Sequence, residues 1–286
     1  MTTVSSSRTA ATETWRSDFF GTINEMPPEP VGLIEEVLES MATEPGFHSA
    51  RRALIRDLQL GPGQSVVEAG CGTGSALPDL ISVLGLGAQV VGVDPSRPFL
   101  ERARSRASGL KATGARYEEG DARRLPLADA EHDAAYCDKL LIHVEPALGV
   151  ISEMARVTRA GGRVGALEWL PRFAISTTDS DLADRYNEVY RQAVCNYHAC
   201  SNLERYLHEA GLIEVRTRTF LASASSLDEH SFWRLFLLAQ IPLFSHAGLI
   251  SEDDGRRFTE DVEELDRRSE FNAAFLIRTG VGVKPA

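Results

Sequence analysis

The chain has 286 residues, 43% of them hydrophobic, and a formal net charge of −11. That apolar content supports a buried core and argues against disorder, in one large domain or a domain with a cap. The negative balance argues against a nucleic-acid partner, because the basic clusters (Arg51 with Arg52, residues 102–106, Arg123 with Arg124) are short and lack interleaved aromatics.

In chain order, residues 1–13 are Ser/Thr-rich and bury little, which predicts a flexible lead-in. They contain no apolar stretch of the kind a secretory signal needs. Residues 29–43 space their apolar side chains as a helix does, and 48–59 read as a second helix, so 14–60 form an N-terminal helical segment. Five short strands follow at 65–69, 88–94, 115–121, 132–140 and 163–169. They alternate with helices at 76–84, 98–108 and 147–158. This alternation predicts an α/β fold with a mostly parallel, doubly wound sheet over 61–170.

Past residue 170 the pattern changes. A helical stretch to residue 200 carries Tyr186, Tyr190 and Tyr197. A helix at 201–212 has Ser201 as its cap and Gly211 at its end. A strand at 213–221 follows, and a lid helix starts with Ser226 and Glu229 as a capping box. An acidic helix at 251–270 and a last strand or hairpin complete seven strands. Residues 171–286 are thus expected to supply substrate-lid helices and the final strands. The longest apolar run is broken by Arg234, Gln240 and Pro242, and falls short of the roughly 20 residues a membrane span needs. Cysteines at 71, 137, 195 and 200 suit a reducing compartment, so a cytoplasmic location is expected.

The stretch VVEAGCGTGSAL places Gly70, Gly72 and Gly74 between a strand and a helix. Backbone can approach a ligand closely there, and helix-start N–H groups face it. The pattern is G-x-G-x-G, which departs from the G-x-G-x-x-G of dinucleotide folds. Asp94 ends the second strand, where a carboxylate can accept from both ribose hydroxyls; it would also cap a helix. Asp121 ends the third strand and could accept from an exocyclic amine, or serve only as a solvated loop acid.

These segments, with VVGVDPS, EGDARRLPL, HDAAYCDKLLIHV and EMARVTRAGGRV in this order, resemble the class I methyltransferases that use S-adenosylmethionine. The likeness covers about 61–170 and points to the branch with the ubiquinone and menaquinone methyltransferases and many bacterial small-molecule methyltransferases. The resemblance implies a Rossmann-like sheet with helical lid insertions and S-adenosylmethionine as cofactor. It places Glu68 and the Gly70–Cys71–Gly72–Thr73–Gly74 backbone at the methionine part, Asp94 with Pro95 at the ribose, and Asp121 with Ala122 at the adenine. Asp138, Lys139 and Leu140 fall beside the sulfonium and amino group. Two departures stand out: Glu68, where aspartate is commoner, and Lys139, a cation where a sulfonium is expected.

His143, just past strand four, is the candidate general base. Glu168, ending strand five, is the candidate acid that orients it. Trp169, Tyr186, Tyr190 and Trp233 are candidate walls of a substrate pocket, although the tyrosines and Trp233 would also serve as lid packing. The spacing of Cys195, His198 and Cys200 is not a zinc pattern, and no metal is expected. The expected reaction is O- or C-methylation of a small, largely apolar or aromatic metabolite, in quinone or natural-product biosynthesis. The alternatives are a cyclisation or rearrangement on the same fold and cofactor, or an NAD-dependent oxidoreductase. A homo-oligomer is compatible with the sequence.

Overall fold

The computed structural model describes residues 22–286, so the expected lead-in at 1–13 lies outside the described residues. Runs of buried Val and Ala form the inner strands β1 (Ser65–Ala69), β2 (Gln89–Asp94), β4 (His132–Asp138) and β5 (Thr158–Trp169). β3 (Ala115–Glu119), half exposed, closes one edge. These five are parallel in the order β3-β2-β1-β4-β5. The strand order reverses between β1 and β4, which is where ligands bind in open α/β sheets.

β8 (Ala273–Val283) runs antiparallel to β5 and to β7 (Ile213–Ala224). Ala274 pairs with both Ser223 of β7 and Ala174 of the two-residue β6 (Ala174–Ile175), so β6 continues the β5 side of β8. The sheet therefore has eight strands rather than seven; β6 is too short to leave a periodic signal. β5 begins at Thr158, earlier than its apolar pattern suggests.

Helices α3 (Leu77–Leu84), α4 (Arg97–Gly109) and α5 (Ala147–Val157) are the crossovers. Helix α1 (Pro28–Thr43) precedes α2 (Pro45–Asp57), whose first turn is capped by Glu44 accepting from Phe47 N at 2.9 Å. Beyond β5 come α6 (Ser180–Ala193) and α7 (Ala199–Glu209). Ser201 lies inside α7, which starts after His198, and Gly211 follows its end at φ +81°.

The lid helix α8 (Ser231–Arg234) continues as a π-turn (Leu235–Ala239) into α9 (Ile241–His246), before α10 (Glu252–Arg267). Its cap is His230, whose Nδ1 accepts from Phe232 N, and not the expected Ser226. Ser226 and Glu229 instead close the preceding turn, with Ser226 Oγ accepting from Asp228 N and Glu229 accepting from Ser225 N. No helix of the described residues is long and apolar enough to cross a membrane.

Candidate active site

A cavity of about 680 Å³ runs across the carboxyl ends of β1, β2, β3 and β4 and then beneath the lid. Its first half is lined by Gly70, Gly72, Asp94, Pro95, Asp121, Ala122, Asp138, Lys139 and Leu140. All nine are residues that the sequence motifs single out. Gly70 has φ +71°, and a Cβ there would come within 2.7 Å of the Leu140 side chain. Gly72 has φ +49°, and a Cβ there would meet nothing within 4 Å, so a side chain would take up space at the cavity.

Asp94 organises this half. Its Oδ2 accepts from Gly72 N at 2.8 Å and its Oδ1 from Ser96 N at 2.9 Å, so one carboxylate fixes both the glycine loop and the start of α4. Burial pushes the Asp94 carboxyl up to about 6, against the pull of those two backbone donors. Asp121 is held by its neighbour: Arg123 donates Nε and Nη2 to its carboxylate, which holds the carboxyl below its ordinary value.

The other motif residues stand behind the cavity wall rather than in it. Thr73 donates its hydroxyl to Glu39 Oε1 of α1 at 2.6 Å. Cys71 is buried, and Gly74 packs against Ala103 and Tyr117. Glu68 is buried with Oε2 unpartnered, and burial first, then the charge of Asp138, pushes its carboxyl up to about 8. These four support the loop from beneath; the motif's spacing cannot tell which loop side chains turn inward.

At the carboxyl end of β4, Asp138 and Lys139 join a polar cluster with Arg51, which the sequence did not announce. Arg51 of α2, fully buried, donates Nε to Asp138 Oδ2 at 2.7 Å. Lys139 donates Nζ to Asp138 Oδ1 at 2.5 Å. Burial works against the Asp138 charge, but Lys139 and Arg51 outweigh it and hold the carboxyl at about 2. The Lys139 ammonium lies over the Phe47 ring, 5.2 Å from its centroid.

His143 is half-buried and lines the same cavity. Enclosure and the nearby Lys139 charge push its imidazole down to about 4, so it is neutral at pH 7. Glu168 does not line the cavity. It is fully buried, and its Oε1 accepts from Leu141 N at 2.5 Å, in the turn that carries His143. Glu168 thus reaches the turn that carries His143 through its backbone.

Burial pushes the Glu168 carboxyl up to about 8 from an ordinary 4.5. A raised carboxyl favours the fold fully below pH 4.5, and that contribution is lost as pH rises through 8. Glu168→Gln, neutral at every pH, is therefore expected to gain thermal stability relative to the parent between pH 5 and about 8.5. Melting curves at matched pH check this; a constant difference across that range contradicts it.

The second half of the cavity is apolar. Trp169, Tyr190, Phe236, Leu243 and Phe244 line it from β5 and the lid. Leu33, Ile34, Val37, Leu38 and Met41 of α1 close it from the other side. Trp169 meets Tyr190 and Phe236 edge-on, at centroid distances of 5.7 and 5.4 Å. Two expected wall residues are packing residues instead. Tyr186 stacks on Phe258 at 4.3 Å and donates to the Phe236 carbonyl, and Trp233 is buried against Phe232 and Phe275. The helical periodicity of residues 29–43 marks an apolar face, but does not say that this face lies over a cavity. Among the described residues, no group of His, Cys, Asp and Glu side chains could hold a metal ion.

A family described as methyltransferase domain matches residues 67–166. An O-methyltransferase of Pyrenophora dematioidea is 30% identical over 196 residues, covering 68% of this chain and 64% of that protein. A demethylmenaquinone methyltransferase of Beutenbergia cavernae is 37% identical over 119 residues, covering 42% of this chain and 46% of that one. The chain thus spans less than two-thirds of the length of these relatives. Among solved structures, the YcgJ protein of Bacillus subtilis superposes with a TM-score of 0.59 at 16% identity, covering 84% of this chain and 99% of that one, a likeness of fold. The matched domain lies over the glycine loop, Asp94 and the β4 turn, so residues 67–166 are a methyltransferase domain similar to those of these relatives.

Proposed function

We propose that this protein binds S-adenosylmethionine along the first half of the cavity and transfers its methyl group to a hydroxyl or carbon of a small aromatic or apolar acceptor in the second half. The observation that carries this is that one cavity is lined both by the polar residues of the strand ends and by the lid aromatics, with His143 in its lining. Largely apolar pockets with a few placed polar groups suit such acceptors. The residues fit the cofactor. Gly72 leaves room above the loop, and Asp94 offers a carboxylate at the expected ribose position. Asp121 with Ala122 lies where the adenine is expected.

When bound, the sulfonium supplies an activated methyl group. The chain's task is to align the acceptor in line with it, exclude water and take up the acceptor's proton. The apolar face of α1 and the lid aromatics do the first two. His143, neutral at working pH, is placed for the third. Glu168 positions His143 by holding the Leu141 amide. The relatives' names and the aromatic lining support a quinone or natural-product acceptor and O- or C-methylation.

The test is a thermal-shift comparison with S-adenosylmethionine, S-adenosylhomocysteine and NAD. A ligand at about 100 times its Kd adds about 2.7 kcal/mol to the native state. Each kcal/mol moves the midpoint by about 2–4 °C in a chain of this size. The expected result is a shift of several degrees with the sulfonium and its thioether product and none with NAD. A shift with NAD alone overturns the proposal.

A further inference from the structure

The apolar lid carries one polar knot. Between α8 and α9 the chain forms the π-turn Leu235–Ala239, and the Phe236 carbonyl within it accepts from three side chains. Tyr186 donates its hydroxyl at 3.1 Å, Tyr190 its hydroxyl at 3.5 Å and Gln240 its Nε2 at 3.1 Å. Gln240 Nε2 also donates to the Tyr190 hydroxyl at 3.4 Å. An amide nitrogen has two N–H donors, so both are used and the side chain is held in one orientation. A reversed amide would set its oxygen against the Phe236 carbonyl, acceptor against acceptor. Gln240 Oε1 itself has no donor among the described residues. Gln240 is half-buried and lines the cavity, as do Tyr190, Phe236, Leu243 and Phe244. It is the only amide among the described residues of that lining. Tyr186 is fully buried and is not part of the lining, so its hydroxyl serves the knot alone. Packing would be met by an apolar side chain at 240. Polar networks of this kind instead specify a single arrangement, and π-turns inside helices are frequent at functional sites.

We propose that Gln240 is a specificity-determining residue: its Oε1 accepts a hydrogen bond from the acceptor, which therefore carries a second hydroxyl besides the atom that is methylated. This rests on the methyl-transfer reading above and narrows its substrate class. An acceptor with a bare ring or an ether at that position displaces water from the cavity and leaves the amide oxygen unpaired, which weakens its complex. A site built to bond a hydroxyl discriminates in this way against the analogue that lacks it. Because the knot fixes which end of the amide is free, the selection is for a donor and not for a carbonyl or an ether oxygen. Tyr186 and Tyr190 are the positioning residues of this contact.

The experiment uses the full chain saturated with S-adenosylhomocysteine. Calorimetry gives its affinity for 2-naphthol, for 2,6- and 2,7-dihydroxynaphthalene, and for the monomethyl ether of each diol. The parent is expected to bind at least one diol about fivefold or more tightly than both 2-naphthol and that diol's ether. In Gln240→Leu and Gln240→Met that preference should fall below about twofold. S-adenosylhomocysteine affinity should change less than about twofold in both variants, which shows that the fold is kept. The comparison of diol with ether in the parent needs no variant, so it decides even where a variant does not fold. A parent that binds no diol, or binds each diol and its ether equally, overturns the proposal. A preference that survives in both variants also overturns it, because another group would then be making the contact. The same titrations can be run without cofactor. If S-adenosylmethionine gives no thermal shift, the methyl-transfer reading falls, while the diol preference and its loss in the variants still decide the role of Gln240.

Discussion

Replacing Asp94 by alanine is expected to weaken S-adenosylhomocysteine binding by about 100-fold at pH 7.5, the largest loss of any single change on the cofactor side. Hydrogen bonds to a charged group contribute about 1.5–3 kcal/mol each, and each 1.4 kcal/mol is tenfold in affinity. Asp94 is proposed to accept from the ribose, and it already fixes Gly72 N and Ser96 N, so its loss both removes a ligand contact and loosens the loop. Its titration makes the same point. Burial raises the carboxyl to about 6, and a protonated carboxyl has less capacity to accept. Parent affinity should therefore fall as pH drops from 7.5 to 5, whereas Asp94→Asn should be weak throughout that range. Calorimetric titration at several pH values decides this; unchanged affinity in Asp94→Ala contradicts the ribose assignment.

His143→Ala is expected to lower kcat on a hydroxyl acceptor by about 10²–10⁴-fold, the usual worth of a positioned proton acceptor. S-adenosylhomocysteine affinity should not change, because His143 is not among the residues proposed to hold the cofactor. The pH profile carries a second signature. Enclosure and then the charge of Lys139 bring the imidazole down to about 4. Parent turnover should thus hold level from pH 7 to 5 and fall only near pH 4, where an ordinary histidine would give a fall near 6.5. Turnover is to be measured under cofactor saturation at each pH, so that titration of Asp94 does not enter. A drop centred on pH 6.5 would show that the imidazole is more open to water than the structure has it.

The two halves of the site differ in how far the sequence exposes them, for physical reasons. Gly70, Gly72, Asp94 and Asp121 are legible because a strand end, a turn and a helix start are local events with local residue preferences. The seven long strands are legible for the same reason. The acceptor half is assembled from distant segments. Val37 and Trp169 line one cavity only because distant segments of the chain come together there. The pairing of Arg51 with Asp138 joins residues 87 positions apart, which no periodicity records. The bond from the Leu141 amide to Glu168 is not legible either, because it depends on how the β4 turn folds. The side chains of Ser226 and Glu229 accept from Asp228 N and Ser225 N rather than from each other's amides, and so close a turn, while His230 takes the helix start.

The position of β8 has a consequence for synthesis of the chain. This strand lies between β5 and β7, yet it is translated after both. Until residues 273–283 leave the ribosome, the β5 edge presents unpaired N–H and C=O groups while the whole lid is being made. Open edges of that kind invite pairing with other nascent chains. Synthesis is therefore expected to be most prone to aggregation just before β8 is inserted, and slowing translation of residues 273–283 should lower soluble yield without altering the finished fold.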